Sequence, residues 1–211
     1  MAANLEESIA HYRGLAPRYD RRTRLINRIR ERTIARLGLS PGQVVLDAGC
    51  GTGWCFERLA NAVGPSGKVL AFDPSAEMLG IARSRPLPPG ARIEILEATA
   101  EEVRLPEAPH AILFSYTHDL IRSRRALDNL LGQARPGAAI AATSTKLYAP
   151  WLVPANWYLR WSHRGYITNF DGFEAPWSVL ATYLDDFSVE THALTQHYVA
   201  FGRLRERPQA A

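Results

Sequence analysis

Val44-Val45-Leu46-Asp47-Ala48-Gly49-Cys50-Gly51-Thr52-Gly53 reads as a buried strand running straight into a glycine-rich turn. Val44, Val45 and Leu46 supply the short apolar run of a strand covered on both faces. Glycines at alternate positions then let the chain turn sharply and approach a ligand closely, because no Cβ stands in the way. Trp54-Cys55-Phe56-Glu57-Arg58-Leu59 opens the helix that follows. The spacing is Gly-x-Gly-x-Gly, not the Gly-x-Gly-x-x-Gly of dinucleotide folds. A second carboxylate ends the next apolar run, Lys68-Val69-Leu70-Ala71-Phe72-Asp73.

Outward from this unit, strands and helices alternate through the first two thirds of the chain, which argues for a mostly parallel sheet with helices on both faces. The expected strands lie at about 43–47, 68–73, 92–96, 111–115 and 138–143, and the helices at about 54–63, 75–83 and 123–134. Ser75 is a plausible helix cap, since its hydroxyl can accept from an unpaired N–H in the first turn. Phe187-Ser188-Val189-Glu190-Thr191-His192 and His197-Tyr198-Val199-Ala200-Phe201-Gly202 alternate at period two and predict an antiparallel hairpin closing the sheet. The expected fold is α/β: Rossmann-like, doubly wound, with a mostly parallel seven-stranded sheet and an antiparallel C-terminal hairpin. One domain over 1–211 is the natural reading of 211 residues. Within it, 1–38 forms an N-terminal helical lid. Residues 147–180, dense in Trp and Tyr, form either a packed helical subdomain or a substrate cap.

Composition is that of an ordinary globular protein, 46% hydrophobic and 22% charged. No apolar run approaches the roughly 18 residues of a membrane-spanning helix. Met1-Ala2-Ala3-Asn4-Leu5-Glu6-Glu7 lacks the basic-then-apolar layout of a secretory leader, and Cys50 and Cys55 read as reduced. Both features point to the cytoplasm. The net charge of +4 is concentrated in Arg21, Arg22, Arg24, Arg28, Arg30, Arg32 and Arg36. With Leu25, Ile26, Ile29 and Leu37 at helical spacing, this is an amphipathic helix with an arginine-rich outer face. That face is either solvated or a surface that docks on anionic lipid or nucleic acid, peripheral membrane contact being the partner kept. No zinc finger or aromatic RNA-binding strand accompanies the charge, so no nucleic acid partner is expected. The histidines show no ligand-like spacing, and no metal is expected.

The glycine turn and the acid after the second strand together resemble the cofactor site of class I S-adenosylmethionine-dependent methyltransferases. The resemblance implies that Gly49, Gly51 and Gly53 pass under the methionine part and that Asp47 meets its ammonium group. Asp73 then accepts from the ribose hydroxyls. Asp73-Pro74-Ser75-Ala76-Glu77-Met78-Leu79 is similar to the stretch in which the methionine packs on the adenine face, with a core role as the rival reading for Met78. Ala98-Thr99-Ala100-Glu101 looks like the adenine-lining loop, Thr99 standing where many relatives have Asp. His11-Tyr12-Arg13-Gly14-Leu15-Ala16-Pro17-Arg18-Tyr19-Asp20 is similar to a tyrosine-bearing lid, with Tyr12 and Tyr19 closing over the cofactor.

Ser115-Tyr116-Thr117-His118-Asp119 falls where the family presents the donor methyl to the acceptor. Ser115 is expected at the cofactor, His118 as a general base near neutral pH, and Tyr116 as a positioning group. A capping or structural role for His118 is the competing reading. The segment lacks the Asn-Pro-Pro-Tyr or Asp-Pro-Pro-Tyr signature of many nucleobase and amide methyltransferases. The implied activity is methyl transfer to a small-molecule or lipid acceptor by in-line displacement. Two alternatives stay open: another transferase using S-adenosylmethionine, such as one moving its aminocarboxypropyl group, and a noncatalytic cofactor- or lipid-surface-binding protein.

Overall fold

Strand residues 44–48 are buried along their whole length, and their side chains point alternately to two separate cores. The computed structural model describes residues 26–163, 170, 172–191 and 194–206. In chain order these form α1 (Asn27–Arg36), β1 (Val44–Ala48), α2 (Phe56–Val63), β2 (Lys68–Asp73), α3 (Ala76–Arg83), β3 (Ile93–Glu97), β4 (Ala111–Ser115) and α4 (His118–Arg122). They continue with α5 (Arg124–Gly132), β5 (Ala139–Thr145), α6 (Val153–His163), α7 (Ser178–Ala181), β6 (Leu184–Thr191) and β7 (His197–Leu204). The sheet has seven strands in the order β3-β2-β1-β4-β5-β7-β6. β1 through β5 pair in parallel, and β7 runs antiparallel to both β5 and β6.

The period-two alternation of the strands sorts the core. Val45, Val69, Ala71 and Leu113 face Ile34, Leu37, Phe56, Leu59 and Leu79 from α1, α2 and α3. Leu46, Leu70, Phe72, Ile112 and Phe114 face Ile121, Leu127, Leu130 and Leu180 from α4, α5 and α7. The α2 stripe Phe56, Leu59, Ala60 and Val63 has the spacing of one helical face. Ser75 caps α3, its hydroxyl accepting from Met78 N at 3.3 Å.

Chain order reverses between β1 and β4: β2 and β3 lie on one side, β5 on the other. Ligands of open parallel sheets bind beyond the carboxyl ends of the strands at such a switch point. Here that place is flanked by the Gly49–Gly53 turn and by the Tyr116–Thr117 loop. Two features differ from the expectation. The short helix α4 precedes the helix expected at about 123–134, and β5 runs to Thr145, beyond the expected end at about 143. The lid tyrosines Tyr12 and Tyr19, and Arg21, Arg22, Arg24 and Leu25 of the arginine-rich segment, lie outside the described residues.

Candidate active site

The turn after β1 begins by continuing the ladder, with Cys50 N donating to the Phe72 carbonyl at 2.9 Å. It then bends back at Gly49 and Gly51, both at positive φ. The two glycines are needed for different reasons. A Cβ at Gly49 would stand 2.6 Å from Thr117 Cγ2, so this glycine lets the two switch-point loops pack together. A Cβ at Gly51 would meet nothing within 4 Å among the described residues. It would project into the open space of a cleft of about 530 Å³, counted with its mouth. Arg85 holds the turn from outside, donating to the Thr52 carbonyl and, at 3.2 Å, to the Thr52 hydroxyl.

Arg30, Asp47, Gly51, Trp54, Met78 and Tyr116 are among the residues on the cleft wall, with Gly49, Ser115 and Thr117. Asp47 is 1% exposed, and its Oδ2 has no hydrogen-bond partner among the described residues. Burial pushes its carboxyl up to about 7, the nearby Arg30 guanidinium pulls it down, and Asp73 pushes it up again. A buried carboxylate oxygen without a donor is costly, so Asp47 is chemically able to receive a cation or an N–H there. Thr117 Oγ1 is likewise buried without a partner among the described residues.

Asp73 touches the turn directly. Its Oδ2 accepts from Gly51 N at 2.8 Å and its Oδ1 from Ser75 N at 3.0 Å. Burial raises its pKa and these two bonds oppose the rise. A carboxylate offers about four acceptor positions, so each oxygen keeps one for an incoming donor. The loop beyond β3 is pinned by Asn129 Nδ2, which donates to the Ala100 carbonyl at 2.9 Å. Thr99 gives its hydroxyl proton to Glu102 at 3.1 Å and retains an oxygen lone pair.

Of the other residues singled out in the sequence, Gly53, Asp73, Pro74, Thr99 and Ala100 are not on the cleft wall. His118 does not line it either. Its ring lies edge-on to Phe173 at 5.8 Å, with Nε2 3.2 Å from the Asp119 carboxylate. Tyr116 does line it, held at φ +61°. Its hydroxyl lies 3.2 Å from His197 Nδ1 at the start of β7. A left-handed tyrosine costs about 1–2 kcal/mol, and such outliers persist where the surroundings fix them. Here Tyr116 N donates to the Thr143 carbonyl at 2.8 Å.

Two groups were missed: Arg30 and the Tyr116–His197 pair. Arg30 was read as part of an outer arginine face, yet it is 4% exposed and lies 5.1 Å from the Trp54 ring centre and 5.4 Å from that of Tyr116. A signal existed, because Arg30 shares the inward helical face with Ile26, Ile34 and Leu37. Arg32 and Arg36 also turn to the protein, pairing with Glu190 of β6. His197 carried no local signal, since it meets Tyr116 only through the order of the strands.

The reversed strand order, the glycine turn and the acid meeting it at the sheet's carboxyl edge make this the class I S-adenosylmethionine-dependent methyltransferase fold. Residues 45–137 match the family model described as a methyltransferase domain. The chain is 39% identical over 77 residues to a ubiquinone/menaquinone biosynthesis C-methyltransferase of Hahella chejuensis, covering 36% of this chain and 31% of that protein. Against such curated relatives, therefore, the well-matched stretch spans less than a third of their length. A demethylmenaquinone methyltransferase of Lactobacillus johnsonii is 25% identical over 201 residues, covering 91% of this chain and 78% of that one. Among solved structures, a SAM-dependent methyltransferase from Aquifex aeolicus has a TM-score of 0.55 at 20% identity, over 83% of this chain and 89% of its own.

Proposed function

We propose that this protein binds S-adenosylmethionine in the cleft and transfers its methyl group to a small-molecule or lipid acceptor. The observation that carries the reading is Asp47, a buried carboxylate with an unpartnered oxygen beside the open cradle over Gly51. Neither feature is explained by packing alone, and both suit the ammonium-bearing end of the cofactor. Arg30, on the same wall, offers a guanidinium for the adjoining carboxylate. Asp73 holds the ribose with the acceptor positions it keeps, Met78 and Pro74 flank the adenine, and Thr99 with Ala100 line its edge.

When bound, the cofactor would supply a sulfonium-activated methyl group to an electron pair of the acceptor, with S-adenosylhomocysteine as the leaving group. The protein's contribution is mainly alignment, which in well-oriented pairs is worth effective molarities of about 10⁵ M or more. Tyr116 faces the cleft and presents its hydroxyl and ring to the acceptor. His197, 3.2 Å from that hydroxyl, orients it and shares the proton that an acidic acceptor gives up. His118, away from the wall, takes the structural role, its ring packed edge-on to Phe173.

Relatives named for ubiquinone and menaquinone methylation favour an apolar, ring-bearing acceptor. The segment 147–180 forms a cap within a single domain and supplies the acceptor's surroundings. The free, buried Cys50 and Cys55 suit a reducing cytoplasm. Calorimetry with S-adenosylmethionine, followed by an acceptor panel read by S-adenosylhomocysteine formation, tests the proposal. Micromolar binding and turnover are expected; a folded protein with no cofactor binding up to millimolar concentrations overturns it.

A further inference from the structure

The helix α6 is amphipathic in the wrong sense for a surface helix. Leu152, Asn156 and Leu159 recur on its inner side. Leu159 is buried in a small cluster with Leu147 and Phe173, and Asn156 Oδ1 accepts from Tyr148 N at 2.8 Å. The opposite side carries Val153, Pro154, Trp157, Tyr158 and Trp161 at positions i, i+1, i+4, i+5 and i+8, with Trp151 just ahead. Trp151 is 73% exposed and Trp157 69%. Val153, Tyr158 and Trp161 are each more than half exposed. Surface helices ordinarily turn polar residues outward. The remaining exposed large hydrophobics, Leu87 and Leu194, stand singly, as is normal. A contiguous patch of this kind marks a binding surface.

Charge identifies the occupant. From Leu147 to Phe170 the sequence contains Arg160 and Arg164 and no Asp or Glu, while Lys146 just before it is buried, donating to the Leu147 carbonyl at 3.1 Å. Arg160 is exposed on α6, with its guanidinium 5.3 Å from the Phe170 ring centre. Trp and Tyr favour the boundary between headgroups and hydrocarbon, because each has an apolar ring and a polar tip. A helix with exposed aromatics, an exposed arginine and no acids fits an anionic bilayer surface. A symmetric pairing of two copies would set the Arg160-bearing face against itself with no acid on α6 to answer the charge, which disfavours a dimer here.

We infer that the α6 face, centred on Trp157 and Trp161, docks this protein on anionic membrane surfaces. The docking does not rest on the reading of the cleft. It has a consequence for it nonetheless: α6 hangs from the carboxyl end of β5, on the edge where the cleft opens, so an acceptor resting in the bilayer would be presented there.

The test is sedimentation of the full chain with vesicles of phosphatidylcholine alone or mixed with phosphatidylglycerol, without cofactor, alongside tryptophan fluorescence on vesicles with brominated acyl chains. Binding to the anionic vesicles with bromine quenching is expected, and Trp157→Ser/Trp161→Ser should weaken it at least tenfold. Leu87→Ser, an isolated exposed residue, should leave it unchanged. Far-UV circular dichroism and the melting transition check that the double variant folds. The inference is overturned if the wild type ignores anionic vesicles, or if the folded double variant binds equally well. It is also overturned if gel filtration shows a dimer that the double substitution dissolves while vesicle binding is absent. Failure of vesicle binding with intact cofactor binding leaves the methyltransferase reading untouched.

Discussion

A valine at position 51 would send its branched side chain into the cleft, since no described residue lies within 4 Å of a Cβ built there. The backbone is at φ +52°, and the substitution adds about 1–2 kcal/mol of left-handed strain. Gly51→Val is therefore expected to fold, with a lowered melting temperature, and to lose cofactor affinity by about a hundredfold or more, roughly 2.7 kcal/mol. Calorimetry measures this, and Gly51→Ala shows how much comes from strain with less filling. At the acceptor side, Tyr116→Phe keeps the ring near Arg30 and removes the hydroxyl that meets His197. If the pair receives a proton, kcat should fall about a hundredfold with the cofactor dissociation constant unchanged. His197→Gln should then move the acid limb of the pH–rate profile. Unchanged kcat and profile in both variants would mean that alignment alone suffices for the reaction.

At the scale of elements, α1 does more than cover the sheet. It carries Arg30 into the cleft and fixes its own position through Arg32 and Arg36 on Glu190. Arg30→Gln should weaken cofactor binding by about one to two orders of magnitude, the range of a lost buried charge-assisted bond. It should also drive the Asp47 carboxyl further up, since the guanidinium now opposes the effect of burial. Arg32→Gln removes an exposed ion pair and should leave affinity unchanged. Direct titration of both variants at two pH values separates these outcomes. The elements themselves were legible because their signals are local: period two in β7, the i, i+3, i+4, i+7 stripe of α2, a serine before α3. The pairing of Gly51 with Asp73 was legible as a motif. The inward turn of Arg30 was missed because charge outweighed position in reading the helix, although its place on the Ile34–Leu37 face was visible. The meeting of Tyr116 with His197 was not legible, since it depends on β7 returning beside β5 and on a left-handed tyrosine that no local pattern demands.

Across the whole molecule, Asp47 couples the cofactor cleft to stability. Unfolded, its pKa is the ordinary 3.8; folded, burial raises it to about 7, with Arg30 pulling down and Asp73 pushing up. Between those values the folded state holds a proton that the unfolded state has released. The stability so gained is fully present below about 4 and is lost as pH rises through about 7, at no more than about 1.4 kcal/mol per pH unit. Asp73, also raised by burial, slopes the same way, so the difference between wild type and Asp47→Asn isolates the share of Asp47. Urea unfolding at several pH values should show the wild type weakening from pH 5 to 8 and Asp47→Asn weakening less. With the ammonium group placed on Asp47 as proposed, cofactor should act oppositely, because a cation there favours the ionised carboxylate. Affinity should fall about tenfold per pH unit below 7 and level off above it. At a hundred times the dissociation constant the cofactor adds about 2.7 kcal/mol, so it should offset most of the alkaline loss. If apo and cofactor-bound unfolding midpoints run parallel across this range, Asp47 does not receive the ammonium group.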